Sequence, residues 1–165
     1  MADSQRLVHP IEPLYNKDSK ILILGSFPSF KSREQMFFYG HPQNRFWRVL
    51  AAVFETEIPQ TICEKREFIL SHNIALWDSI ASCDIVGSSD SSIKNVVPND
   101  LRKILKEASI NAIFTNGKTS DKYYNKYIKT QIGIESICLP STSPANAMWT
   151  VDSLTGKWNI IKEYL

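Results

Sequence analysis

The chain has no apolar run near the ~20 residues that a membrane-spanning helix requires. Its first residues, Met1 to Val8, carry Asp3 and Arg6 where a secretory leader would be apolar. Both absences lead us to expect a soluble protein of the cytoplasm. Cysteine is scarce: Cys63, Cys83 and Cys138 lie far apart, with no Cys-x-x-Cys pair. A zinc cluster needs ligands grouped on short loops, so no metal is expected, and each cysteine is expected to be a buried free thiol. Gly25 lacks the further glycines of a dinucleotide or P-loop fingerprint. Strong charge is missing too. Nineteen Lys and Arg against seventeen Asp and Glu leave a net charge of +2. That is too mild to establish nucleic-acid binding, but positive residues can still gather on one face. Lys31, Arg33, Arg45 and Arg48 form one such group and Lys118, Lys122, Lys126 and Lys129 another; solvated helix faces explain the second group at least as well.

What is present suits one domain. The 165 residues are 43% hydrophobic, enough for a core without staples. Lys20 to Gly25, Ile74 to Trp77, Asn111 to Thr115 and Ile134 to Leu139 are short apolar runs of the kind that form buried parallel strands. Between them, helical spacing covers 45–54, Thr61 to Ser71, a segment from Leu101 to Ala108 capped by Asn99 or Asp100, and the run Tyr123, Tyr124, Tyr127 and Ile128. Leu154, Trp158, Ile161 and Leu165 stripe a closing helix. Residues 1–18 are expected to be a loop or a lid over the sheet edge, and the polar stretch 79–95 a loop. Alternating strands and helices predict a three-layer α/β/α fold around a four-stranded, mainly parallel sheet. Ligand sites in such sheets form outside the carboxyl ends of the strands. Gly25-Ser26, Asp78, Asn116 and Pro140-Ser141 all fall there.

Three segments at those ends could carry chemistry. Gly25-Ser26-Phe27-Pro28-Ser29 offers a tight turn with amide donors close to a ligand, or simply a turn. Phe37 to Trp47 offers aromatic faces for stacking a base. Within it, Asn44 can hold a water or a base edge, and can equally cap a helix. His41 can serve as a general acid, as a phosphate contact or as a structural histidine. Pro140 to Ala147 is a stiff loop of small hydroxyl residues that suits a pinched phosphate backbone, with an apolar tip that could wedge a duplex, or an ordinary Ser/Pro surface turn.

Taken together and in this order, the segments resemble the uracil-DNA glycosylase superfamily. His41-Pro42-Gln43-Asn44-Arg45-Phe46-Trp47 looks like the His-Pro-x-Asn-x-Phe-Trp segment of the mismatch-specific uracil and the hypoxanthine-DNA glycosylases. Gly25-Ser26-Phe27-Pro28 and Leu139 to Ala145 are similar to the first and second motifs of the hypoxanthine group. Ala75-Leu76-Trp77-Asp78 and Gly87 to Ile93 also match that group. The mismatch-specific enzymes carry a catalytic asparagine in the first motif where this chain has Phe27. The resemblance to the hypoxanthine group therefore places the catalytic role on Asn44. The first motif often ends in glycine after the proline; here it is Ser29.

The resemblance implies a monofunctional glycosylase that flips and hydrolyses out a deaminated base, hypoxanthine for preference, during base excision repair. The base site would comprise Gly25, Ser26, Phe27, Pro28, Phe38, His41, Asp78 and Asn116. Ser141, Thr142, Ser143, Pro144, Ala145 and Asn146 would grip the DNA. No cofactor is implied. The expected partner is DNA, duplex or single-stranded, met by a monomer that is nucleoid-associated when bound. A uracil or mismatch preference, or a non-catalytic binder of damaged DNA, are the alternatives.

Overall fold

The computed structural model describes residues 3–165; the first two residues of the expected N-terminal loop fall outside that range. Its centre is a sheet of four parallel strands in the order β3-β2-β6-β7, where β2 is Ile21–Gly25, β3 is Ile74–Asp78, β6 is Ala112–Asn116 and β7 is Ser136–Leu139. Every residue of β2 and of β6 is buried, as central strands covered on both faces require. The alternation of side chains sorts the core into two layers. Ile21, Ile23, Ile74, Leu76 and Phe114 pack with helices α2 (Phe46–Val53), α3 (Ile62–Ser71) and α7 (Val151–Trp158). Leu22, Leu24, Ala75 and Ile113 face Leu101 and Ile104 around helix α4 (Arg102–Glu107), and Tyr124 and Ile128. The fold is three-layer α/β/α, as the sequence predicts.

One expected helix cap is not formed. Thr61 caps α3, accepting from the Glu64 amide at 3.0 Å. Helix α4 starts after Leu101 without a side-chain cap. Asp100 accepts the Arg102 amide, whereas the Asn99 amide donates to the carbonyls of Asp78 and Ile80 and ties down the turn after β3. The tyrosine-rich segment is helical throughout, as expected, with a change of pitch inside it. It runs as α5 (Lys118–Tyr123), a π-turn over Tyr124–Ile128 and α6 (Lys129–Ile132).

Both segments expected as loops contain strands. β1 (Gln5–Val8), β4 (Ile80–Ile85) and β5 (Lys94–Pro98) form a second, antiparallel sheet in the order β1-β4-β5. Its polar composition is compatible with strand because only one face is covered. Ile80, Cys83 and Ile85 point inward to Phe27, Ile93 and Tyr123, while Arg6, Asp84 and Asn95 pair across the outer face. Of the three cysteines only Cys83 is buried. Cys63 and Cys138 are exposed, on α3 and on edge strand β7, contrary to expectation.

Candidate active site

The sheet register sets the site. Gly25 pairs with Asp78 and Asn116 with Leu139, so all four strands end along one edge. A cleft of about 780 Å³ opens there. Gly25, Ser26, Phe27, Pro28, Phe38, His41, Asn44, Asp78, Asn116, Ser141, Thr142, Ser143, Ala145 and Asn146 line it. Three segments far apart in sequence thus meet around one space of nucleotide size.

A hydrogen-bond chain joins the second motif to the third. Asn116 Nδ2 donates to Thr142 Oγ1 at 3.0 Å and Asn116 Oδ1 accepts from the Thr142 amide at 3.0 Å. The Thr142 hydroxyl donates onward to Asn44 Oδ1 at 2.8 Å. Asn44 Oδ1 also accepts the Phe46 amide at 3.0 Å, so the amide does satisfy the start of α2 although the residue at the cap position is Arg45. Both lone pairs of that oxygen are spent. What Asn44 has left to offer a ligand is its Nδ2, which has no protein partner among the described residues. Thr142 is wholly buried. Its hydroxyl donates to Asn44 and so braces that side chain.

Arg45 anchors the loop that follows β7. Its guanidinium donates to the carbonyls of Thr142 (3.3 Å), Ser143 (2.7 Å), Asn146 (3.0 Å) and Trp149. The planar fork suits such a spread of acceptors, and it removes Arg45 from the cations available to DNA. The other expected basic groups are also divided. Lys31 pairs with Glu34 and Lys129 with Glu135, and Lys122 and Lys126 lie over the rings of Tyr123 and Tyr127. Arg33 is held partly out of water near the Phe27 ring, which lowers its pKa. Lys118 remains on the cleft wall.

Of the proposed stacking residues, Phe38 is 3% and Phe27 8% exposed. Phe38 packs edge-on against Phe37 within the core, so it forms the back of the wall and offers no open face. His41 Nδ1 accepts the Gln43 amide at 3.1 Å, which leaves Nε2–H toward solvent and the cleft. The tip of the third loop differs from expectation as well. Asn146 is tied back, its Nδ2 donating to the Ser141 carbonyl. Met148, which the sequence reading passed over, stands 95% exposed beside it.

The carboxylates give the cleft its electrostatics. Ser26 donates to Asp90 Oδ1 at 2.9 Å and the Phe30 amide to Ser88 at 3.0 Å, so the loop 87–93 folds over the first motif. Asp90 keeps an exposed surface, but crowding of its carboxyl by the surrounding protein raises its pKa, with the Asp78 charge adding to it. Asp78 Oδ2 receives His9 Nε2 at 2.6 Å. Tyr39 lies near, with a left-handed backbone (φ 52°) and its ring stacked on Phe46. Its hydroxyl is buried without a partner among the described residues. Burial, reinforced by Asp78, pushes its pKa far above the ordinary range, so it stays neutral. Sequence reasoning missed His9 and Tyr39: one sits in a segment expected to be loop, the other among aromatics expected as stacking faces.

The comparisons with known proteins agree with this geometry. The model of the uracil DNA glycosylase superfamily matches residues 12–164. A hypoxanthine DNA glycosylase of Methanosarcina barkeri is 34% identical over 137 residues, 81% of this chain and 85% of its own. One from Methanosarcina acetivorans is 35% identical over 134 residues, 79% and 83% of the two chains. A solution structure from Methanosarcina acetivorans, described as that of a uracil DNA glycosylase, superposes with a TM-score of 0.74 at 27% identity, covering 92% of this chain and 96% of that one. Fold, cleft and relatives define a DNA glycosylase, a hydrolase of N-glycosidic bonds. Within that class the chain belongs to the uracil DNA glycosylase superfamily. No helix among the described residues is long and apolar enough to cross a membrane.

Proposed function

We propose that this protein excises hypoxanthine from DNA, with Asn44 as the residue that positions the attacking water. The observation that carries the reading is the bracing of Asn44: Thr142 and the Phe46 amide fix its oxygen, leaving Nδ2 as a rigid donor in the cleft. The flipped nucleotide enters the cleft, at a cost of a few kcal/mol for unstacking. Phe27 borders the base, and Asp78 meets its edge. Ser141 and Ser143 face the pinched phosphates, and Lys118 contributes a charge. Met148 fills the gap left in the stack. As the glycosidic bond breaks, the sugar becomes cationic, a charge that the Asp90 carboxylate on the cleft wall favours. The departing base gathers negative charge, which amides at Ser26 and Phe27 can meet. Water held by the Asn44 Nδ2 donor adds to the sugar cation and loses its proton to solvent. An amide is no strong base, so positioning supplies the rate.

Asn44→Asp is the discriminating substitution. It keeps both accepted hydrogen bonds and replaces the Nδ2 donor with a negatively charged acceptor. Single-turnover release from an inosine-containing duplex should fall at least a hundredfold with Tm near that of the parent; an unchanged rate would remove Asn44 from its role. Assayed in parallel, duplexes with uracil, xanthosine or thymine mismatches fix the preference. Binding without release of any base would identify a non-catalytic damage binder. The product strand should remain uncut until alkali is added, as a monofunctional enzyme requires. Nicking without alkali would turn attention to Lys118.

A further inference from the structure

His9 is a buried histidine bonded to a cleft residue, yet it precedes the span that the superfamily model matches. Its amide donates to the Ala81 carbonyl at 2.7 Å as β1 ends, and its side chain is only 2% exposed. The ring sits edge-on to both Phe27 and Trp77, with centroids 5.9 and 6.1 Å away. Its two nitrogens have distinct partners. Nδ1 accepts the Ile11 amide at 3.2 Å, so the proton of the neutral ring is on Nε2, and Nε2–H donates to Asp78 Oδ2 at 2.6 Å. One carboxylate oxygen is thus engaged from behind. The other, Oδ1, lies over the Cα of Gly25 and has no protein donor among the described residues.

We infer that His9 locks Asp78 as a hydrogen-bond acceptor facing the cleft, and that this makes the cleft select bases carrying a ring N–H on the facing edge. The inference rests on the glycosylase reading above and adds a basis for its choice of substrate. Deamination exchanges an exocyclic amine for a carbonyl and turns the adjacent ring nitrogen from acceptor to donor. Hypoxanthine at N1 and uracil at N3 present N–H, whereas their parents adenine and cytosine present a lone pair there. A carboxylate that only accepts rewards the first pair and repels the second. Guanine shares the N1–H, so this contact separates product from parent for adenine and cytosine alone. A site built around a hydrogen bond discriminates strongly because the mismatched partner leaves a buried polar group unpaired. His9 does not touch the base; it is a positioning residue.

The test is a sign reversal in single-turnover hypoxanthine release. With Asp78 intact, His9→Phe keeps a ring of similar shape but removes the donor, and release should fall about ten- to a hundredfold, the worth of a hydrogen bond to a charged group. His9→Gln, whose amide can reach the same oxygen, should restore most of it. In Asp78→Asn, His9 donates to the amide carbonyl and turns the NH2 toward the cleft. Hypoxanthine release should drop by a similar factor while adenine release rises. Adding His9→Phe to Asp78→Asn frees the amide to rotate, so hypoxanthine release should recover. A purely structural histidine would lower activity in both backgrounds, and that result would overturn the inference. If His9→Phe proves unfolded by its Tm, Asp78→Asn decides alone: an unchanged ratio of hypoxanthine to adenine release refutes it. A parent protein that releases no hypoxanthine fails the functional reading itself, which these variants then distinguish from failure of the lock.

Discussion

Gly25→Ala probes the packing on which the cleft depends. A Cβ at this position would lie 2.4 Å from Asp78 Oδ1 and 3.2 Å from the Tyr39 hydroxyl, where ordinary contact begins near 3.4 Å. Either β2 or Asp78 must move by about 1 Å, the difference between 3.4 and 2.4 Å. The strand is pinned, because the Gly25 carbonyl accepts from the Ser79 amide at 2.7 Å and from the Ser120 hydroxyl at 3.0 Å. Asp78 therefore yields, against its 2.6 Å bond to His9. Overpacking of this kind costs roughly 1–3 kcal/mol, which lowers Tm by about 3–10 °C in a domain of this size. A 1 Å misplacement at a reacting centre can cost about a hundredfold in rate. Excision should consequently fall by about that factor at temperatures where the variant is folded, as measured by single-turnover base release beside a thermal melt. An alanine variant that melts lower yet excises at the parental rate would show that Asp78 does not meet the base.

Arg45→Lys retains the charge but cannot span four carbonyls, so Tm should drop by the equivalent of about 2 kcal/mol and excision should fall at least tenfold; a silent substitution would deny the loop its anchor. Met148→Ala should leave the melt unchanged, since the side chain is 95% exposed, while slowing excision from duplex but not from single-stranded DNA, where no stack needs filling. Asp90→Asn tests the sign of a titration. Crowding by the surrounding protein raises the Asp90 pKa, so the folded state binds a proton more tightly than the unfolded chain and loses stability as pH rises through that value. The variant should melt higher than the parent at pH 8 and converge with it as pH falls through the acid range; a gap that widens in acid would contradict the shift.

The parallel sheet was legible in the sequence because strands buried on both faces must be continuous apolar runs, and Ile21 to Leu24 and Ala112 to Thr115 are. The edge where ligands bind followed from where those runs stop. The antiparallel sheet was not legible, since Ile80 to Ile85 mixes serine and aspartate with inward Cys83 and Ile85, and composition alone reads that as loop. The site shows the same division. Motifs marked the residues that line the cleft, but not how they are engaged. That Thr142 is a brace, that Arg45 is spent on carbonyls and that His9 stands behind Asp78 depend on contacts between residues 69 to 104 positions apart, for which local pattern carries no signal.

These engagements bear on how the chain can work without an asparagine in its first motif. Phe27 is apolar and nearly buried, so its side chain cannot hold a water at that turn. The compensation is distributed. Asn44 is immobilised through Thr142 by Asn116, which turns a side-chain amide at the start of α2 into a fixed donor and removes the reorganisation that a mobile one would need. Asp78 and Asp90 place two carboxylates on the wall of the same cleft. Of the basic residues near the cleft, Arg45 is spent inside the loop and Lys118 stands on the wall, among neutral amides and hydroxyls. A site of this design favours the charge that develops in the transition state over the charge already present on DNA. That is where binding energy must be placed if it is to raise the rate and not merely tighten the complex.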